Sequence, residues 1–184
     1  MMSMKKYSPF KNNAQHGMTL IEVMIAMVVI TIGMSAVLSL MMYTLSSNNR
    51  NRQDVNAATI AILFLRHAST VPAFQNLTVT VTDCQGTSFN INTTANSVTT
   101  PGPPLLSSGK IDFTSSYTTA GYSAQYQICE AGGQFSTYDV RWNIQTITAY
   151  SKLITVGVMK VGASGNAGSN GFTIPVTMRS IAGS

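Results

Sequence analysis

Charged side chains are scarce in this chain of 184 residues. They make up 9% of it, against about 25% in a typical soluble domain. Three of the eleven basic residues lie close to the amino terminus, at Lys5, Lys6 and Lys11, and the others are dispersed. Nucleic-acid binding driven by charge needs a dense basic patch, which this sequence does not offer. Serine, threonine, asparagine and glycine supply the polar surface instead, which is typical of an exported protein.

Histidine and cysteine are also rare, with two of each. His67 is the one histidine beyond residue 17, and the sequence assembles no Ser–His–Asp or Cys–His set around it. Neither Cys84 nor Cys129 has a second cysteine or a histidine at the spacing of a zinc site. We therefore expect no catalytic residues, no metal and no cofactor.

Acidic residues give no metal-binding pattern either. The four carboxylates beyond the predicted helix lack the spacing of a calcium loop, and they are Asp83, Asp112, Glu130 and Asp139. The glycine-rich stretch 162–171 has no lysine and no strand–helix context, so it is not a phosphate-binding loop. The protein is more easily understood as the substrate of an enzyme than as an enzyme.

What the chain does have is a long apolar run with a carboxylate at its start. Gly17 to Glu22 (GMTLIE) leads directly into Val23–Leu45, which carries no charge. A run of this length can span a bilayer, and it exceeds the 7–15 residues of a signal-peptide core. Because a carboxylate at a helix centre in the membrane costs about 2.5–3.5 kcal/mol by insertion scales, Glu22 needs a functional reason.

The segment Gly17–Val29 (GMTLIEVMIAMVV) resembles the processing site of type IV prepilins and of the related type II secretion pseudopilins. The resemblance implies that a prepilin peptidase cuts between Gly17 and Met18 and methylates the new amine of Met18. It also implies that Glu22, the fifth residue of the mature chain, acts in assembly with other pilins. Met18 departs from the family pattern, in which phenylalanine is commonest at that position.

A second resemblance covers two short stretches near the carboxyl terminus. Val140–Ile144 (VRWNI) and Ile154–Lys160 (ITVGVMK) are similar to PilV-type minor pilins. This likeness is much weaker than that of the amino-terminal motif. Together the two resemblances imply a low-abundance subunit of a hetero-oligomeric filament.

The distribution of charge predicts the orientation of the span. Lys5, Lys6 and Lys11 precede it, so the amino terminus should stay in the bacterial cytoplasm while the carboxyl-terminal part is exported to the periplasm. Arg50 and Arg52 follow the run and are interpreted as interfacial caps of the span. Loss of the three lysines leaves eight basic against six acidic residues, a net charge near +2.

The exported location bears on the two cysteines. Cys84 and Cys129 both follow the span, on the side where disulfides persist. Two cysteines in an exported domain are more often bridged than free, so we expect a bridge between them. The chain-entropy model assigns a loop of this size about 4 kcal/mol of stabilisation.

Four segments are predicted: a leader at 1–17, a membrane and filament-core helix at 18–45, an amphipathic continuation at 46–71, and a β-rich exported domain at 72–184. Ser46–Asn49 consists of poor helix formers, so a kink or break is expected there. Gly33 is expected to permit close helix approach, and Val71-Pro72 should end the helix. The face that packs on a sheet is predicted from three- and four-residue steps as Val55, Ala58, Ile62, Leu65 and Ala68.

Alternating apolar residues predict five strands, at 77–82, 122–128, 138–144, 154–160 and 172–178. The core-facing residues of the third are expected to be Tyr138, Val140, Trp142 and Ile144. Pro175 indicates an edge strand or a bulge. The stretches 86–109 and 162–171 are expected to be surface loops.

The predicted fold class is α+β, a pilin-like long helix packed on an antiparallel sheet. The protein is predicted to be a minor pilin that is held in the inner membrane and then taken up into a type IV pilus. It would act in pilus assembly and initiation. The processes served by the pilus would be motility, adhesion or DNA uptake. Two alternatives stay open: a minor pseudopilin of a type II secretion system, and a membrane-anchored surface adhesin.

Overall fold

The computed structural model describes residues 17–96, 102–114, 116–130, 132–162 and 174–183. The chain divides into two compact units, with the boundary between Ser47 and Asn48. The predicted leader lies outside the described residues except for Gly17, and so does almost all of the predicted loop 162–171.

One helix, α1 (Leu20–Ser69), provides nearly all of the first unit and the start of the second. Its first half exposes apolar side chains on every side, as a membrane span must. Hydroxyl groups in this half donate to backbone carbonyls three or four residues earlier, as Thr31 does to Met27 and Ser39 to Ser35. These bonds satisfy the hydroxyls internally, which an apolar surrounding requires.

By length and composition, α1 is the one helix in the described ranges able to cross a membrane. Helical structure continues through residues 46–49, so the break that poor helix formers predicted there is absent. The helix ends at Ser69, where the Thr70 amide and hydroxyl both donate to the carbonyl of His67. The predicted termination before Val71-Pro72 is confirmed.

The buried face of α1 in the second unit differs from the prediction. Val55 and Ile62 are 63% and 56% exposed, and Ala58 is half-buried. The side chains that pack inward are Ala57, Ile60, Ala61, Phe64, Leu65 and Ala68. The prediction is confirmed for Leu65 and Ala68 and wrong for Val55 and Ile62, because apolar residues occupy two neighbouring rows of this charge-poor helix and periodicity alone could not choose between them.

In the described residues, six strands form two antiparallel sheets. Their bounds are β1 Thr78–Thr82, β2 Ser88–Asn92, β3 Ser123–Cys129, β4 Phe135–Thr148, β5 Ser151–Lys160 and β6 Val176–Gly183. The smaller sheet pairs β1 with β2, and the larger has the order β3-β4-β5-β6. The antiparallel sheet and the long helix confirm the predicted α+β class.

Strand β2 corrects the prediction of a loop from 86 to 109. The segment Ser88–Asn92 pairs with β1 in register, with Val79 opposite Ile91. The strand was missed because serine and two asparagines accompany only two apolar residues, of which Ile91 is buried. The last strand lies at the edge of its sheet as expected, but it covers Val176–Gly183 and not 172–178, since it begins only after Pro175, which has no amide to donate.

The core lies between the helix and the inner face of the larger sheet. Tyr138, Val140, Trp142 and Ile144 are all at most 1% exposed, which confirms the predicted core-facing set. Phe64 links helix and sheet, since its ring centroid lies 5.5 Å from that of Trp142. Burial of aromatic side chains of this size dominates the energetics of a small core.

The outer face of the same sheet is covered by residues 102–114, here called the cover segment. Asn143 donates to the carbonyl of Pro103 at 2.9 Å, and Arg141 donates to that of Asp112 at 3.0 Å. Ile111 of the cover segment is 1% exposed. This covering could not be predicted, because the segment has no periodic pattern.

Gly157 on β5 is expected to be required beneath the cover segment. A Cβ atom there would lie 2.7 Å from Cβ of Ile111 and 2.9 Å from the Phe113 ring. Gly157→Ala should therefore lower the free energy of unfolding by about 1–3 kcal/mol through overpacking. Gly183→Ala is the matched control, since its nearest neighbour would lie at 3.7 Å. Equal stability of the two variants in urea unfolding would contradict the packing described.

A disulfide joins the two sheets. Cys84, in the turn between β1 and β2, is bridged to Cys129 at the end of β3, with their Cα atoms 5.8 Å apart. The expected bridge is thus present. It closes a sequence separation of 45 residues and fixes the smaller sheet against the edge strand of the larger one.

Candidate functional site

The predicted cleavage junction lies just before the helix. Gly17, Met18 and Thr19 are exposed and non-helical. A Cβ atom added to Gly17 would meet nothing within 4 Å. Among the described residues none covers the peptide bond between Gly17 and Met18, and cleavage there stays a prediction.

Thr19 directly precedes Leu20, the first residue of the helix. Its carbonyl accepts the amides of Glu22 at 3.0 Å and Val23 at 3.3 Å. Thr19 and Glu22 have the spacing of a capping box, in which a threonine and a glutamate satisfy each other's backbone amides. A carboxylate in the first turn also complements the positive end of the helix dipole.

Glu22 therefore occupies a capping-box position that the sequence analysis missed, although in the described residues neither its side chain nor that of Thr19 makes the capping hydrogen bond. The signal was present, because a threonine followed three residues later by a glutamate, ahead of an apolar run, is the capping-box pattern. Glu22 is exposed, so its carboxylate remains accessible to another molecule. Any test of Glu22 in assembly must separate the charge from the cap.

The span carries a shallow apolar depression at Gly33. It has a volume of about 360 Å³ and is lined by Ile30, Gly33, Met34, Val37 and Leu38. The depression forms because glycine has no side chain, which lets another backbone approach closely. This geometry agrees with the expected role of Gly33 in helix approach.

Two of the scattered acidic residues stabilise turns. Asp83 accepts the amides of Gln85 and Thr87 between β1 and β2. Asp112 accepts the hydroxyl and amide of Thr114, and these bonds hold the pKa of Asp112 below its ordinary value. Both carboxylates act within loops and do not converge on a common point.

The other two acids, and the histidine, are likewise engaged locally. Glu130 accepts the hydroxyl of Ser136, and Asp139 forms a salt bridge with Arg141 at 2.8 Å. His67 contacts the carbonyl of Leu63 through Nδ1 at 2.9 Å. In the described ranges, no three histidine, cysteine, aspartate or glutamate residues lie together as a metal site would require.

Lys152 is a buried cation that the sequence analysis did not single out. Its ammonium donates to the carbonyls of Gln75 and Thr93, at 2.9 and 3.0 Å, and to Oδ1 of Asn76 at 3.2 Å. Burial lowers the pKa of Lys152 below its ordinary value. The signal was its inward position on β5, which it shares with Ile154 and Val156. Lys152 ties the segment after α1 to both sheets, which is a structural role.

The comparison with protein families matches one model, the prokaryotic N-terminal methylation motif, over residues 12–38. Residues 17–38 of this match comprise the exposed junction, the start of the helix at Leu20 and the apolar helix described above. The match does not reach the stretches that resemble PilV-type minor pilins, so that resemblance stays a prediction. Searches of curated proteins and of solved structures found no match.

The motif implies processing by prepilin peptidase and assembly with other pilins, and it suggests a structural rather than an enzymatic protein. With the apolar helix that follows it, the motif also indicates a membrane-anchored protein. The prepilin motif at residues 12–38, at the start of a helix apolar enough to span a membrane, supports assignment of the chain to the type IV pilin and pseudopilin family.

Proposed function

We propose that the protein is a minor pilin of a type IV pilus. In this proposal a prepilin peptidase cuts between Gly17 and Met18 and methylates Met18. The apolar half of α1 then holds the subunit in the inner membrane until the filament takes it up. The observation that carries the proposal is the motif match at an open junction, directly before an uncharged helix.

The orientation in the membrane follows from charge. Lys5, Lys6 and Lys11 precede the span and favour a cytoplasmic amino terminus. The disulfide between Cys84 and Cys129 fits the opposite, oxidising side of the membrane. Both features support export of the β-rich unit to the periplasm and then to the cell surface.

The exposed apolar surface of the span fits assembly. From Val23 to Leu45 the large apolar side chains are exposed in the single chain. Lipid can cover this surface before assembly, and other pilin helices can cover it afterwards. Close packing of membrane helices favours small residues at the contact. The depression at Gly33 therefore supports coverage of this surface by other pilin helices.

The proposal that the protein is a minor and not a major pilin rests on the weaker resemblance at Val140–Ile144 and Ile154–Lys160. These stretches lie on β4 and β5, the two central strands of the larger sheet. They supply buried residues such as Trp142 and Val156. The likeness therefore concerns the core of the exported unit.

Fractionation of a piliated strain tests the proposal. The protein should appear in pili sheared from the cells, at a small fraction of the amount of the major subunit, with a second pool in the inner membrane. Retention of all the protein in membranes while pili are shed would overturn the proposal and favour an anchored adhesin. Loss of type II secretion, with pili unaffected, on deletion of the gene would overturn it in favour of a pseudopilin.

A further inference from the structure

A cleft opens beside the edge strand β3 of the larger sheet and reaches β4. Its volume is about 390 Å³, within the range of about 300–1,000 Å³ found for small-molecule sites. The side chains that line it include Phe89, Tyr117, Ser123, Gln125, Asp139 and Arg141. This cleft, here called the β3–β4 cleft, has no part in the proposed pilin function.

The strand register builds the floor of the cleft. Gln125 of β3 lies directly opposite Asp139 of β4, and Ser123 lies opposite Arg141. Directly opposed residues of antiparallel strands point to the same face, with Cβ atoms about 4.5–5.5 Å apart. The amide of Gln125 and the carboxylate of Asp139 therefore present a donor and acceptors side by side.

Arg141, which forms this floor together with Ser123, makes several contacts that fix its side chain. Its side chain is 5% exposed, and its guanidinium lies 4.7 Å from the centre of the Phe113 ring. Both Nε and Nη2 donate to Oδ2 of Asp139, at 3.0 and 2.8 Å. Within the described part of the chain Oδ1 of Asp139 accepts no hydrogen bond, so it is available to a ligand.

Aromatic rings complete the lining. Tyr117 and Phe89 are both half-buried and pack against the hydrophobic core, so their positions are fixed by packing. A fixed ring beside hydrogen-bonding groups suits a ligand with one apolar face and several hydroxyl groups. The formal charge of the lining is zero, because Asp139 and Arg141 are its only charged residues and they pair with each other.

We propose that the β3–β4 cleft binds a pyranose sugar, as a free monosaccharide or as the end of a glycan. In this arrangement sugar hydroxyls donate to Oδ1 of Asp139 and exchange hydrogen bonds with the amide of Gln125. The C–H face of the ring lies on Tyr117. An anionic ligand is disfavoured, because the guanidinium of Arg141 is 5% exposed and already paired with Asp139.

The test is saturation-transfer NMR on the full chain in dodecylphosphocholine micelles, a detergent without a sugar headgroup. The probes are the methyl glycosides of glucose, galactose, mannose and N-acetylglucosamine. A ligand of about 13 non-hydrogen atoms at about 0.3 kcal/mol per atom gives a dissociation constant of millimolar order. At least one probe should show transfer concentrated on one face of its ring.

Gln125→Ala should weaken that binding about threefold to tenfold, because one net hydrogen bond is lost. Gln127→Ala is the matched control, since it lies two residues along the same strand and does not line the cleft. Trp142 fluorescence reports folding in both variants, because this single tryptophan is buried. Absence of transfer to all four probes would overturn the proposal, as would equal binding by the two variants. Binding of N-acetyl-lysine amide in place of any sugar would also overturn it, by showing a peptide site.

Discussion

Replacing Glu22 with valine is expected to lower the recovery of the protein in sheared pili at least tenfold, with cleavage, membrane insertion and folding unchanged. Glu22 lies four residues after Met18, so one helical turn separates its carboxylate from the new amine. The exposed carboxylate is free to meet the amine of a neighbouring subunit. In an apolar filament core such a pair attracts by about 4 kcal/mol at 4 Å and an effective dielectric constant of 20.

The expected size of this effect follows from the strength of the pair. A loss of about 1.4 kcal/mol already lowers an association constant tenfold, so even a fraction of that attraction suffices. The pair would also select the axial register in which subunits add, because a mismatched subunit leaves its carboxylate unpaired in an apolar setting. Incorporation should therefore be affected more than membrane insertion.

Glu22→Gln separates the charge from the helix cap. Glutamine serves the capping box as glutamate does, but it cannot form an ion pair. Immunoblots of sheared pili and membrane fractions for wild type, Glu22→Val and Glu22→Gln give the comparison. Both variants should be depleted from pili to a similar degree. Wild-type recovery of Glu22→Gln would assign Glu22 to capping alone, and wild-type recovery of both would remove it from assembly.

Removal of the disulfide is expected to have the largest effect on folding. The combined change Cys84→Ser and Cys129→Ser should lower the free energy of unfolding by up to about 4 kcal/mol, from the loop-entropy model for this separation. Both positions are exposed, so serine introduces no buried polar group. The free energy of unfolding of a typical protein is about 5–15 kcal/mol, so the loss of the disulfide would remove a large fraction of it.

Urea unfolding followed by Trp142 fluorescence measures this effect on the full chain. Reduction of the wild-type protein should shift its midpoint to that of the double variant, whereas the reductant should leave the variant unchanged. A double variant as stable as the oxidised wild type would contradict the contribution assigned to the bridge. Non-reduced peptide mapping should find the Cys84 and Cys129 peptides linked.

The elements with strong local signals could be predicted from the sequence. The apolar run and Pro72 placed α1 within two residues at each end, and alternation placed the central strands and their core residues from Tyr138 to Ile144. Strand β2 escaped because only Phe89 and Ile91 among its residues are apolar. The buried face of α1 was misplaced because Val55 and Ile62 are as apolar as the residues that pack inward.

The β3–β4 cleft could not be predicted from the sequence at all. Gln125 and Asp139 are separated by a turn, and only the strand register brings them opposite each other. Arg141 is buried because the cover segment crosses it, and that segment has no repeating pattern. The placement of these residues depends on tertiary packing between distant parts of the chain. Thr19 and Glu22, by contrast, carry a local sequence pattern that a search for capping boxes would have found.

Membership of the prepilin family requires processing at Gly17. Intact mass of the protein extracted from membranes of a strain with active prepilin peptidase should show the loss of residues 1–17 and the gain of one methyl group, located on Met18 by fragmentation. The same strain without the peptidase should yield the full chain, unmethylated. An intact Met1 terminus in the peptidase-positive strain, or cleavage at any other bond, would contradict the assignment.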